Sequence, residues 1–322
     1  MILETTVLLV SGRFFRCKFM KGWAGLNEVY HGLCDAAADL QRIRVGSYIA
    51  VVIVALEHIL VFIFSFLEAN SCSVAKCRGY LLIIVESLRI NLTWLIPTSL
   101  SLMFFFICLL IRSHFVTISE MLACILKKPN PKLHTKIDMV RILHEQLCET
   151  VSDFESYFGV QLLITLCTSC FMITVGAYSY IVQGEGISTA VYENAGWASK
   201  GQMYGAILMI IAIVTGGEMV TKAAVSSAPV LNSLSLSTLD DKSQIQVTAF
   251  LQKISAFPTK IRALRITTVS TTFLASASKN IITYLLVLMQ FKLSLENSKK
   301  DNLNLTSFGG NNTCDDGRVP SS

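Results

Sequence analysis

Charge is what this sequence has little of. Only 15% of its 322 residues are Asp, Glu, Lys or Arg, whereas an ordinary soluble domain carries about 25%. Hydrophobic residues make up 52% of the chain, and its mean hydropathy is +0.56. The few charges gather in separate segments, as expected when loops hold them and membrane spans exclude them. The composition therefore indicates a membrane protein and argues against an ordinary soluble domain.

Signatures of several other protein classes are also missing. No basic tract is dense enough to suggest nucleic-acid binding. The ten cysteines show no zinc-ligand spacing with histidines nearby. No Ser–His–Asp arrangement, nucleotide-binding loop or metal motif stands out. The sequence thus predicts no enzyme, no cofactor, no metal site and no nucleic-acid partner.

Long apolar segments are what the sequence has instead. A helix that crosses a membrane needs about 20 apolar residues. Four segments meet or approach this length, namely Gly46–Leu67, Leu92–Ile111, Tyr157–Val182 and Tyr204–Val220. A fifth, 266–292, is strongly apolar only at Ile281–Phe291 and rich in Ser and Thr before that, which is typical of a helix that lines water. The predicted fold class is an all-α polytopic membrane protein with five transmembrane helices.

The basic residues predict the orientation of these spans. With the C-terminus outside, the inner segments hold 18 Lys and Arg residues and the outer segments hold 8, as the positive-inside rule requires. The N-terminus is therefore predicted inside and the C-terminus outside, the reverse of a G-protein-coupled receptor. The predicted organisation is a cytoplasmic segment 1–45, two spans in 46–111, a cytoplasmic helical loop 112–156, two spans in 157–220, a cytoplasmic helical segment 221–265, the last span 266–292 and a disordered extracellular tail 293–322.

The two longer inner loops carry apolar helical faces. In the first, apolar residues recur every three or four positions, at Val140, Leu143, Leu147, Val151, Phe154 and Phe158. In the second, a shorter stripe consists of Val247, Phe250, Leu251 and Ile254. The span at Tyr157 is therefore expected to continue as a helix below the membrane. The two stripes could pack together or against another subunit, and a surface helix on the bilayer is the alternative.

The final span contains Thr-Tyr, five apolar residues and Gln-Phe, in Thr283–Phe291. This pattern resembles the C-terminal signature of insect gustatory receptors, a family of seven-span ligand-gated cation channels. Glu57-His58 is similar to a pair often found in the third span of that family. The resemblance implies that the five spans match the third to seventh of the family and that residues 1–11 are a remnant of the second. It further implies an N-terminally truncated chain, and the polar tail is a departure from the family.

The resemblance implies a gustatory receptor that detects small-molecule taste compounds as a ligand-gated cation channel subunit. Such a chain would be a multi-pass protein of the plasma membrane of sensory neurons, in a homo- or hetero-tetramer. Its last helix would line the pore with Thr283, Tyr284, Gln290 and Phe291. Phe291 would close the pore by dewetting and Gln290 would offer amide oxygens to cations, unless they are an interfacial aromatic and its polar neighbour. The alternatives are an inactive or regulatory truncated receptor and a membrane transporter.

Polar and aromatic residues of the other spans are candidates for a ligand pocket. Ionisable residues within a span are costly and often functional, and aromatic walls suit small ligands. The candidate pocket residues are Glu57, His58, Trp94, Tyr178 and Tyr180. A structural polar pair and aromatic anchors at the membrane interface are the alternatives. For Glu218, beside Gly216 and Gly217, the favoured interpretation is close helix packing at the two glycines.

Overall fold

The described structure is almost entirely helical. The computed structural model describes residues 16–32, 80–127, 133–183, 190–233, 239–256 and 258–308. Its helices are α1 (Arg16–Gly32), α2 (Tyr80–Lys127), α3 (Leu133–Gln183), α4 (Ala190–Ala224), α5 (Ser227–Asn232), α6 (Asp241–Ala256) and α7 (Thr271–Phe308), with β1 (Arg262–Ala263) and β2 (Thr267–Thr268) between α6 and α7.

Four helices of the described part are long and apolar enough to cross a membrane. These candidate spans are Ile96–Lys127, Leu133–Ile181, Gly201–Asn232 and Thr271–Leu295. They fall where the last four spans are predicted from the sequence. The first predicted span, Gly46–Leu67, and the predicted span remnant at residues 1–11 lie outside the described residues. The mostly helical, membrane-type fold is confirmed.

Helix α3 is far longer than a membrane is thick. Its 51 residues correspond to about 75 Å at ~1.5 Å per residue, more than twice the ~30 Å of a hydrocarbon core. The predicted apolar face on its first half is buried at every position, namely Val140, Leu143, Leu147, Val151, Phe154 and Phe158. The stripe on α6 belongs to the same buried cluster as this face, and the ring of Phe250 lies 5.2 Å from that of His144 on α3. The expectation that the two faces pack together is confirmed.

His144 is the meeting point of four helices. Its Nε2 atom lies 2.9 Å from the carbonyl oxygen of Ala224, the last residue of α4. Its ring also lies 5.2 Å from that of Phe115 on α2 and 5.2 Å from that of Phe250 on α6. With Nε2–H donating to Ala224, Nδ1 is the acceptor that faces Cys148 at 3.6 Å. One buried imidazole thus ties α2, α3, α4 and α6 together.

Glycines allow the spans to approach closely. A Cβ atom at Gly176 of α3 would lie 2.9 Å from the Met203 side chain on α4. A Cβ atom at Gly216 of α4 would lie 3.3 Å from Phe105 and Cys108 on α2. Small residues have this role in many membrane helix pairs, where close backbone approach gains van der Waals contact. The predicted close helix packing is confirmed at Gly216, whereas Gly217 packs against Val269 in the segment before α7.

A short hairpin, residues 261–270, leads from α6 to α7. Its two strands are antiparallel, with Arg262 opposite Thr268 and Ala263 opposite Thr267. The Val269 N–H donates to the Ile261 carbonyl at 2.9 Å and closes the hairpin. Ile261, Ala263 and Val269 are buried, so this irregular segment is a packed part of the fold.

The ends of several helices differ from the prediction. The last helix continues to Phe308, so residues 293–308 are helical although the whole of 293–322 was expected to be disordered. No Gly or Pro interrupts α7, and Gly309-Gly310 follows it directly, where glycine weakens a helix by about 1 kcal/mol. Helices α2 and α4 also begin earlier than the predicted spans, at Tyr80 and Ala190.

Candidate functional site

Helix α7 differs from the other candidate spans in its exposure. No residue between 271 and 295 is buried, whereas each of the other three spans buries a substantial share of its most apolar stretch. Large apolar side chains such as Ile282, Leu286 and Leu295 are well exposed on it. An apolar surface of this length needs lipid or other protein to cover it.

A line of polar residues runs along this apolar helix. Ser276, Thr283, Gln290 and Asn297 follow one another at intervals of seven residues, and all four are exposed. Residues seven apart differ in direction by only about 20° around an α-helix. The Thr283 hydroxyl donates to the Lys279 carbonyl at 2.9 Å, which leaves its oxygen lone pairs free to accept. Hydroxyl and amide oxygens on one face can replace part of the water around an ion.

The four predicted pore residues form two pairs on adjacent faces of α7. Thr283 and Gln290 belong to the polar line. Tyr284 and Phe291 are also seven residues apart, and each side chain is 65% exposed. Each aromatic residue lies about 100° around the helix from its polar neighbour. The structure therefore brings all four residues to one half of the helix surface, but not to a single line.

The described structure does not gather the five candidate pocket residues into one site. Glu57 and His58 lie outside the described residues, and Trp94 lies on α2, where its side chain is not described. Tyr178 is half-buried near the end of α3, and Tyr180 is exposed. Two residues apart on a helix differ by about 200° in direction. Tyr178 and Tyr180 therefore face different sides of α3, and the structure does not bring these two candidates together.

Sequence reasoning missed a buried polar face on α3. Gln161 is fully buried, and neither its amide nitrogen nor its amide oxygen has a hydrogen-bond partner in the part of the chain that the structure describes. The hydroxyl of Thr165, one turn further on, is also buried without a partner. Ser169 continues the same face at the next turn. The spacing of four within an apolar span was the available signal. A buried native polar group without a partner marks a place where water or a ligand can bind.

Two substitutions on this face are expected to stabilise the protein. An unsatisfied buried polar group costs about 1–3 kcal/mol, so Gln161→Met and Thr165→Val should raise the melting temperature of the purified protein. Thr174→Val is the matched control, because the Thr174 hydroxyl donates to the Cys170 carbonyl at 2.8 Å and its loss should not stabilise. Thermal unfolding monitored by tryptophan fluorescence measures all three. Destabilisation by both Gln161→Met and Thr165→Val would contradict the expectation and show that these groups hold a polar occupant.

Comparisons with known proteins agree on one family. A family model described as 7tm chemosensory receptor matches residues 5–295. The fold is similar to that of the insect olfactory receptor OR5 from Machilis hrabei, with a TM-score of 0.66, 16% sequence identity and coverage of 89% of this chain and 80% of that chain. A second structure of that receptor, in complex with eugenol, matches with a TM-score of 0.63, 17% identity and the same coverage. No curated protein matches the chain in sequence.

The family match spans nearly the whole chain, and the similar solved structures share its helical membrane fold. The chain belongs to the 7tm chemosensory receptor family, of the insect odorant and gustatory receptor type.

Proposed function

We propose that the chain is a gustatory receptor, a subunit of a cation channel that opens when a small taste compound binds. The observation that carries the proposal is α7, an exposed apolar helix with a polar line through Thr283 and Gln290. Membership of the chemosensory receptor family supports a sensory role. The pattern of Thr283, Tyr284, Gln290 and Phe291 favours a taste receptor over an olfactory one, because it resembles the gustatory signature.

In the proposed assembly, four subunits place their α7 helices around a common axis. The polar line then faces the pore, and the remaining exposed apolar surface of α7 contacts neighbouring subunits and lipid. A repeat of seven residues suits this arrangement, since helices that cross at a small left-handed angle keep such a line towards the axis. The partners can be further copies of this chain or other subunits of the family.

Gating in this proposal depends on which face of α7 meets the axis. The amide oxygen of Gln290 and the hydroxyl oxygen of Thr283 would coordinate a cation in the open pore, in place of part of its water. Tyr284 and Phe291 lie on the adjacent face, so a rotation or tilt of α7 would bring aromatic rings towards the axis. A narrow apolar ring loses its water and blocks ions without filling the pore sterically.

The ligand is proposed to bind among the helices of one subunit in the plasma membrane of a sensory neuron. The related olfactory receptor has been seen in complex with eugenol, a small molecule. Glu57, His58, Trp94, Tyr178 and Tyr180 remain the candidate contacts, and the buried amide of Gln161 is a further one. A ligand opens the channel only by binding the open state more tightly than the closed state.

The test is calcium imaging in cultured cells that express the chain, across a panel of sugars, bitter compounds and eugenol. Surface labelling establishes that the protein reaches the plasma membrane. A dose-dependent calcium signal to one class of taste compound, absent from untransfected cells, is the expected result. Responses to volatile odorants alone would assign the chain to the olfactory branch. A surface-expressed protein silent to the whole panel, alone and with family co-subunits, would count against the channel proposal.

A further inference from the structure

The hairpin before α7 is in backbone contact with two spans. A Cβ atom at Gly159 of α3 would lie 3.0 Å from the backbone nitrogen of Leu264. A Cβ atom at Gly217 of α4 would lie 2.9 Å from the carbonyl oxygen of Val269. Real Cβ atoms essentially never approach a neighbour below 3.0 Å, so only glycine fits at Gly217 without movement. The hairpin is therefore packed directly against α3 and α4.

The turn of the hairpin is strained in a way that needs this support. Leu264 and Arg265 have φ angles of 52° and 61°, in the left-handed region. For a residue with a side chain this conformation costs roughly 1–2 kcal/mol, and it persists only where the surroundings enforce it. The contact at Gly159 falls on Leu264, one of the two strained residues. The shape of the turn is thus set by packing on α3.

A carboxylate joins the start of α7 to α4. Glu218 Oε2 accepts a hydrogen bond from the backbone N–H of Thr271 at 3.3 Å. Its other oxygen lies 2.8 Å from Lys222 Nζ, one turn further along α4. The Ser270 carbonyl accepts from the N–H groups of Phe273 and Leu274, so Ser270 is the N-cap of α7 and Thr271 its first helical residue.

The hydrogen bond between Glu218 and the Thr271 N–H lies at the N-terminus of α7, where a carboxylate is favoured. The N–H of a first helical residue has no partner inside its own helix. The N-terminus of a helix also carries a partial positive charge that favours a nearby carboxylate. Lys222 is mostly exposed, with 75% of its side chain accessible, whereas Glu218 is 24% accessible. Lys222 therefore orients the carboxylate from the more exposed side, and Glu218 makes the contact with α7.

We propose that Glu218 is a positioning residue for the last helix, and that with the hairpin it forms the joint through which α3 and α4 act on α7. This rests on the proposed function, in which α7 lines the pore. Ligand-driven movement of α3 and α4 would then pull the first turn of α7 through three contacts, at Gly159, Gly217 and Glu218. The helix is continuous from Thr271 onwards, so displacement of its first turn is passed along it.

Thr271→Pro isolates the hydrogen bond. Proline removes the N–H and replaces the Thr271 side chain with a ring, and it is well tolerated at the first helical position because its fixed φ already suits a helix. The preceding residue, Ser270, is the N-cap, where extended backbone is normal and compatible with a following proline. Thr271→Ala is the matched control, since it removes the side chain and keeps the N–H. Glu218→Ala removes the acceptor, and Lys222→Gln removes only the orienting charge.

Hydrogen exchange measured by mass spectrometry on the full chain in lipid nanodiscs tests the anchor without any ligand. Loss of a charge-assisted cap is expected to speed exchange of the amides at residues 272–277 by roughly three- to tenfold in Glu218→Ala and Thr271→Pro. Thr271→Ala should exchange as the wild type does, and Lys222→Gln should fall between. Unchanged exchange in both Glu218→Ala and Thr271→Pro would overturn the proposal.

Calcium responses to an agonist from the taste-compound panel test the coupling role. A coupling contact contributes to gating rather than to ligand binding, so the maximal response should fall by roughly fivefold with little change in the half-maximal concentration. The double variant Glu218→Ala/Thr271→Pro should match either single variant, because both remove one bond. Faster exchange with wild-type gating would refute the coupling role. If the variants exchange faster but the wild-type chain conducts nothing, the anchor at Glu218 is supported and the result counts against the channel proposal.

Discussion

Replacing Gln290 with arginine is expected to abolish cation conduction while the protein still reaches the cell surface. In the proposed tetramer the substitution would put four positive charges around the pore axis, within a narrow region of low dielectric constant. Repulsion of a cation by a ring of like charges at such short range far exceeds thermal energy. The measurement is whole-cell current or calcium entry on application of an agonist, with surface labelling in parallel.

Gln290→Glu and Gln290→Asn complete this test. The glutamate variant has nearly the same shape as glutamine but adds negative charge, so it should conduct and favour calcium over monovalent cations. The asparagine variant keeps the amide and should conduct much as the wild type does. Opposite effects of Arg and Glu identify electrostatics at the pore. Equal loss in both charged variants, with normal conduction in Gln290→Asn, would instead indicate that Gln290 packs against protein.

Truncation of Phe158 is expected to have the largest effect on folding. This ring is fully buried, and its centroid lies 5.4 Å from that of Phe104 on α2 and 6.5 Å from that of Phe19 on α1. Phe→Ala at such a core position typically costs about 3–5 kcal/mol through lost contacts and a residual cavity. We expect Phe158→Ala to lower the melting temperature steeply and to reduce surface expression.

Phe171→Ala on the same helix is the matched control. Phe171 is 66% exposed, so the same truncation removes few contacts within the chain and should leave its melting temperature in detergent close to that of the wild type. Similar destabilisation in the two variants would contradict the packing seen around Phe158. Loss of expression in Phe171→Ala alone would point to an interface between subunits on that side of α3.

Much of the fold could be predicted from the sequence because its signals are local and periodic. The apolar face from Val140 to Phe158 lies every three to four residues along one helix, and each of its members is buried. The short stripe on α6 packs against α3, which is one of the arrangements that the sequence left open. The helix ends were harder to predict, as at Phe308, because hydropathy marks where lipid can be and not where a helix stops.

The sequence by itself determined the helical membrane fold, the four candidate spans of the described part and the family signature on α7. Each of these depends on residues close together in the chain. Only the tertiary structure decided which polar groups have partners. Glu218 accepts from the Thr271 N–H at a separation of 53 residues, and His144 bonds the Ala224 carbonyl at a separation of 80. Gln161 has no partner among the described residues. Composition and periodicity carry no information about such contacts, because they are created when distant segments pack and exclude the water that would otherwise satisfy them.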